Sequence, residues 1–118
     1  MSFIPEDDSL LLDMARAARD IASFIGSQRY DQFLSDRKTQ SAVLHELLII
    51  GEVTKKLSPD FQASHRDIAW REIGRMRDKL IHHYRQVDTE EVWRMASVDV
   101  PNLLRYIVPL LPSEADGG

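Results

Sequence analysis

The sequence contains no cysteine. That absence removes disulfide frameworks and thiolate metal sites together, and a chain that uses neither fits a reducing compartment. No apolar run approaches the ~18 residues a membrane span needs, and the opening MSFIPEDDS is acidic where an export signal would be basic. The expectation is a soluble, cytoplasmic protein. Strand signals are missing too: no short run alternates apolar and polar residues between turn residues, and no internal repeat is found. What remains is helical. With 118 residues the chain suits one core and is short for two, so a single domain over 1–118 is expected, with the polar tail SEADGG from about 113.

Helical periodicity appears four times. Leu10, Met14, Ala18, Ile21 and Ile25 share a stripe, with acids at its start and Gly26 placed as its stop. A linker with Tyr30, Phe33 and Leu34 leads to Asp36, a cap for a second helix striped by Val43, Leu47, Ile50, Val53 or Thr54, and Leu57. Ser58-Pro59 should end it. A third helix spans Asp67 to about Ile81, with Ile68, Ile73, Met76 and Leu80 inward and the histidines at its C-terminal end. In the fourth segment Asp88 and Glu91 resemble a capping box, and Val92, Ala96, Leu103, Ile107 and Leu111 continue a core stripe. Pro101 cannot donate to the Ser97 carbonyl, which predicts a kink or break there. Gly51 and Gly74 lie inside helical patterns, where close helix packing is the expected reason. The fold class read from this is all-α, an up-and-down bundle of four to five helices.

The formal net charge of -4 argues against a nucleic-acid partner until its distribution is considered. Between His65 and Arg85 six basic side chains face three acidic ones, a local +3 against -7 in the remainder. Three of the four histidines, His65, His82 and His83, fall in the same island. A phosphate-bearing partner fits here.

Within that island, RMRDKLIHHY (75–84) places Arg77 five residues before His82 and Tyr84 two residues after it. Cleavage of RNA by its own 2'-hydroxyl needs a base for that hydroxyl, a cation for charge developing at phosphorus and an acid for the leaving 5'-oxygen. His82 can serve as base or acid near neutral pH, and Arg77 offers a fixed fork of donors to phosphate oxygens. On an ideal helix positions 77 and 82 are ~140° apart, whereas 77 and 84 differ by ~20°. Arg77 and Tyr84 should therefore share a face. His82 joins them only if the helix loosens near Ile81 or if a second subunit supplies it. Adjacent His82 and His83 diverge by ~100° and no carboxylate completes a ligand set with them, so no metal and no cofactor are expected. His45 and His65 are read as structural.

The same segment resembles the R-x4-6-H signature of HEPN domains, and its H-x-Y ending is similar to that of HepT-like toxins. IIGEVTKKLSPD (49–60), WREIGRMRDKLIHHY (70–84) and VDTEEVWRM (87–95) extend the resemblance over most of the chain. The resemblance implies a HEPN-like fold and a metal-independent endoribonuclease toxin acting on tRNA or mRNA, with Arg77 and His82 catalytic. It also implies a homodimer that joins two motifs and a partner antitoxin with a minimal nucleotidyltransferase (MNT) domain, which adenylylates Tyr84. Asp78, Lys79, His83 and Arg85 are candidates for RNA contacts. One departure is that the position after the motif arginine, commonly Asn, is Asp78 here. The alternative is a non-catalytic HEPN module that binds RNA or nucleotide for a partner nucleotidyltransferase.

Overall fold

The structure, a computed structural model, describes residues 5–112, and the tail expected from about 113 lies outside them. Helix α1 (Pro5–Ile25) carries Glu6, Asp7 and Asp8 in its first turn, where negative charge favours a helix N-terminus. It buries Leu11, Met14, Ala18 and Ile21. Gly26 ends it as expected, at φ +55 with its N–H on the Ala22 carbonyl, a conformation that costs glycine nothing. The expected linker contains a short helix, α2 (Tyr30–Leu34), because Phe33 is fully buried and its ring centroid sits 5.1 Å from that of Trp93.

Asp36 caps α3 (Arg37–Lys56), accepting from the Thr39 backbone N–H at 3.1 Å and the Thr39 hydroxyl at 2.6 Å. These bonds, with one from Gln28, favour the charged form and hold its carboxyl down at about 2. Both Val53 and Thr54 are buried, the Thr54 hydroxyl being satisfied by the Ile50 carbonyl at 2.9 Å. Ser58-Pro59 ends α3 but also begins α4 (Pro59–Ser64), a helix the sequence reading does not contain. Ser58 Oγ accepts from the Phe61 N–H, Pro59 occupies the first turn and Phe61 is fully buried. Buried Asp7 ties α1 to this corner, accepting from the Ser58 hydroxyl at 2.6 Å and its N–H at 2.9 Å.

Helix α5 (Trp70–His82) starts at Trp70 rather than Asp67. Trp70 is itself a core residue, and its indole N–H donates to the His65 carbonyl at 2.9 Å, which holds the preceding turn out of the helix. The last segment runs as α6 (Thr89–Arg94), a π turn (Met95–Asp99) and α7 (Val100–Ile107). There is no break at Pro101. The Val100 N–H reaches back to the Met95 carbonyl, so the irregularity forced by the proline is absorbed one turn upstream. Asp88 does cap α6, through the Glu90 N–H at 3.0 Å, while the Glu91 carboxylate pairs with Lys79 at 3.4 Å.

Helix α1 packs along α3 and α7, and α3 along α5. The result is an all-α bundle of four long segments, with α2 and α4 filling its connections. Among the described residues no helix is long and apolar enough to cross a membrane. A groove of about 640 Å³ stays open between α5 and the α6–α7 segment, floored by Leu47 and Ile50 of α3.

Candidate active site

Helix α5 buries Leu80 and packs Ile73 and Met76 against the core, which leaves Arg77 on the flank facing α3. Gly51 makes that approach possible. A Cβ at position 51 would stand 2.2 Å from Arg77 Cβ and 2.7 Å from its Cγ, far inside contact distance. Close helix packing is thus the reason for Gly51. It is not the reason for Gly74, where a Cβ would meet only the Lys55 side chain at an ordinary 3.9 Å.

The Arg77 guanidinium lies between two carboxylates. Its Nε and Nη2 donate to Glu52 Oε2 at 2.9 and 2.7 Å, and its Nη1 to Asp78 Oδ1 at 3.0 Å. Asp78 also receives Lys55 Nζ at 2.8 Å. Two cations and two anions therefore form a quartet with no net charge. Hydrogen bonds from Lys55 and then Arg77 hold the Asp78 carboxyl below the usual aspartate range, and Asp78 followed by Glu52 raises the Arg77 value further. Arginine has five N–H donors and three are engaged here. One on Nη1 and one on Nη2 remain for an oxyanion. Glu52 and Lys55 were not singled out from the sequence. The signal for Glu52 was a charge inside the apolar run IIGEV, directly after the glycine that admits Arg77.

His82 is the last residue of α5 and is exposed; the His83 N–H still reaches the Lys79 carbonyl at 2.9 Å. The helix does not loosen near Ile81, so within one chain Arg77 and His82 keep their ~140° separation. The shared face expected for Arg77 and Tyr84 does not form, because that projection needs an unbroken helix to residue 84. Tyr84 instead opens a 3-10 turn (Tyr84–Gln86), is 64% exposed, and has its hydroxyl 3.4 Å from Arg85 Nε. Of the other candidates, Lys79 and Arg85 are exposed, Asp78 faces Arg77 and Lys55, and His83 borders a small crevice with Leu80 and Val92. His65 is structural as expected, with Nδ1 3.2 Å from the Tyr106 hydroxyl and its ring on Phe61. His45 is exposed on α3. The large groove includes none of Arg77, His82 and Tyr84. His82 and Tyr84 are exposed, and Arg77 is half-buried.

The quartet gives Asp78 a definite electrostatic effect. Asp78→Asn leaves it with net +1, and the expected result is RNA binding tightened by up to about fivefold at low salt, the scale of an exposed charge interaction. Fluorescence anisotropy against salt concentration checks this; unchanged or weaker binding would show that Asp78 does not restrain Arg77.

Residues 14–110 match the family model described as Ribonuclease HepT-like. A Thermococcus cleftensis protein named "Probable ribonuclease HepT" is 45% identical over 93 residues, covering 79% of this chain and 84% of its own. A Methanocaldococcus jannaschii protein provisionally named an RNase is 36% identical over 110 residues, 92% of this chain and 91% of its own. Another, from Caldanaerobacter subterraneus and named in the same provisional way, is 34% identical over 85 residues, 72% of this chain and 76% of its own. No solved structure matches the chain. The chain belongs to the HepT-like ribonuclease family.

Proposed function

We propose that this protein is an endoribonuclease that cleaves tRNA or mRNA without a metal ion, the toxin of a toxin-antitoxin pair. The observation that carries the reading is the placement of Arg77 and His82 on the last two turns of α5, the arginine pre-positioned by Glu52 and the histidine free in solvent. A histidine takes the proton of a ribose 2'-hydroxyl as that oxygen attacks the adjacent phosphorus. The two unused Arg77 donors hold the non-bridging oxygens, and a second, protonated histidine gives its proton to the departing 5'-oxygen. The products are a 2',3'-cyclic phosphate and a 5'-hydroxyl. Arg77 and His82 of one chain point apart, so a homodimer with its two α5 C-terminal ends together supplies both histidines and completes each site across the two-fold axis.

The test is incubation of the purified protein with RNA and with DNA of the same sequence in the presence of a chelator. RNA should be cut to products ending in a cyclic phosphate, and DNA, which lacks the nucleophile, should survive. A requirement for divalent metal, or equal cutting of DNA, would contradict the mechanism; binding without cutting would favour the non-catalytic alternative.

The exposure of Tyr84 beside the motif supports regulation by an MNT-type antitoxin that uses ATP to adenylylate its hydroxyl. The phenol oxygen attacks the α-phosphorus of ATP, pyrophosphate leaves, and the attached AMP brings bulk and negative charge to the edge of the phosphate site. Intact-mass measurement after incubation with the partner and ATP should show addition of AMP to the wild-type protein and none to Tyr84→Phe. Equal modification of the Phe variant would move the switch to another residue.

A further inference from the structure

We infer that the outward face of α5 is a track for the RNA backbone, formed by Arg71, Arg75 and Lys79 and leading to His82; this rests on the nuclease reading above. At ~100° per residue, Arg71, Arg75 and His82 fall within ~40° of one another, and Lys79 lies ~40° beyond Arg75. Along the axis the steps are ~6 Å from Arg71 to Arg75, ~6 Å to Lys79 and ~4.5 Å to His82. All four side chains are exposed, on the face opposite Ile73 and Leu80.

The acids of α5 stand at the edges of this stripe, Asp78 ~20° before Arg71 and Glu72 ~20° beyond Lys79, and neither forms an ion pair with the stripe's cations. Glu72 borders the groove toward α7, and Asp78 turns to α3 to meet Lys55 and Arg77. Among the described residues no ion pair engages Arg71 or Arg75, and Lys79 makes only the 3.4 Å contact with Glu91. Like charges one helical turn apart destabilise a helix, and these buy no packing contact in exchange. A polyanion laid along the helix removes that repulsion, each cation neutralising about one phosphate. No aromatic side chain stands on the stripe between Arg71 and His82 to stack on bases, so the track follows the backbone without reading sequence. In a two-fold dimer whose α5 helices meet at their C-terminal ends, the two stripes diverge from the paired histidines. One strand can then lie along one stripe and cross the reacting centre. An acidic protein segment is the competing occupant.

The track is tested in the His82→Ala background, where RNA stays uncut during titration. Arg71→Gln, Arg75→Gln and the double variant keep good helix formers at exposed positions, and circular dichroism verifies that each is folded. Anisotropy with a labelled 12-nucleotide RNA is measured against salt concentration. The slope of log Kd against log salt should fall by about 0.7 for each arginine removed, and by about twice that in the double variant, equally for two unrelated sequences. Arg19→Gln, at an exposed position of α1, should leave it unchanged. Slopes equal to the parent, or the same loss from Arg19→Gln, would overturn the track. Cleavage by the wild-type protein is scored separately: a nuclease whose slopes ignore Arg71 and Arg75 loses the track alone. A protein that cuts nothing but loses slope in these variants keeps the track and loses the nuclease reading.

Discussion

Replacing His82 by Ala should lower the rate of RNA cleavage by about 100-fold or more, the scale for loss of a positioned acid-base group. Stability should not follow activity, since His82 is exposed at the very end of α5 and trimming it removes no buried contact. Arg77→Ala should lose a comparable factor through loss of charge stabilisation at phosphorus. Arg77→Lys should recover little of it: lysine keeps the charge but cannot engage Glu52, Asp78 and a phosphate from one planar fork. Single-turnover cleavage beside a melting curve separates the two effects. A His82→Ala protein that melts like the wild type and cuts RNA at the wild-type rate would remove His82 from the mechanism.

The second large effect is expected from a methyl group. Gly51→Ala puts a Cβ 2.2 Å from Arg77 Cβ, where the contact is between the stems of two helices and no flexible chain end can yield. Helices α3 and α5 must separate, at a cost of about 1–3 kcal/mol, the usual range for overpacking. The shift also moves Arg77 relative to Glu52, so cleavage should fall further than the loss of folded protein accounts for. Gly74→Ala is the matched control. Its Cβ meets Lys55 at an ordinary 3.9 Å, and the exchange of Gly for Ala inside a helix should raise stability by up to about 1 kcal/mol. Denaturant unfolding of both variants checks the pair. Equal behaviour of the two would show that the Gly51–Arg77 approach is not tight.

The contrast between these glycines marks how far the sequence could be read. Features set by residues a few positions apart were legible: the Gly26 stop, the Asp36 cap, the core stripes and the histidines at the end of α5. Ser58-Pro59 was half legible, because the dipeptide that stops one helix also supplies the cap and first residue of the next, and only the buried Phe61 shows that α4 follows. The start of α5 was misplaced because Trp70, bonded to the His65 carbonyl, competes with a helix starting at Asp67. Pro101 signalled an irregularity, but whether a break or a π turn results depends on how α7 packs along α1.

At the site, Arg77, His82 and Tyr84 stood out from their spacing and chemistry, whereas their mutual geometry did not. The shared face of Arg77 and Tyr84 presumed a helix that ends at His82. Glu52 and Lys55 lie 25 and 23 positions from the residues they pair with, and no local pattern links such partners before α3 and α5 are packed.

If a site draws on His82 of two chains, diluting active chains with inactive ones shows it most directly. Wild type and His82→Ala are unfolded together in equal amounts and refolded as a mixture, so that about half of the dimers carry one of each. With a histidine needed from both chains, only the dimers that are wholly wild type cut RNA, and the mixture should keep about a quarter of the rate of the same total amount of wild type. His82→Ala refolded alone should stay near zero. If the mixture contains mixed dimers and keeps about half of that rate, one chain's histidine suffices and the shared site is wrong.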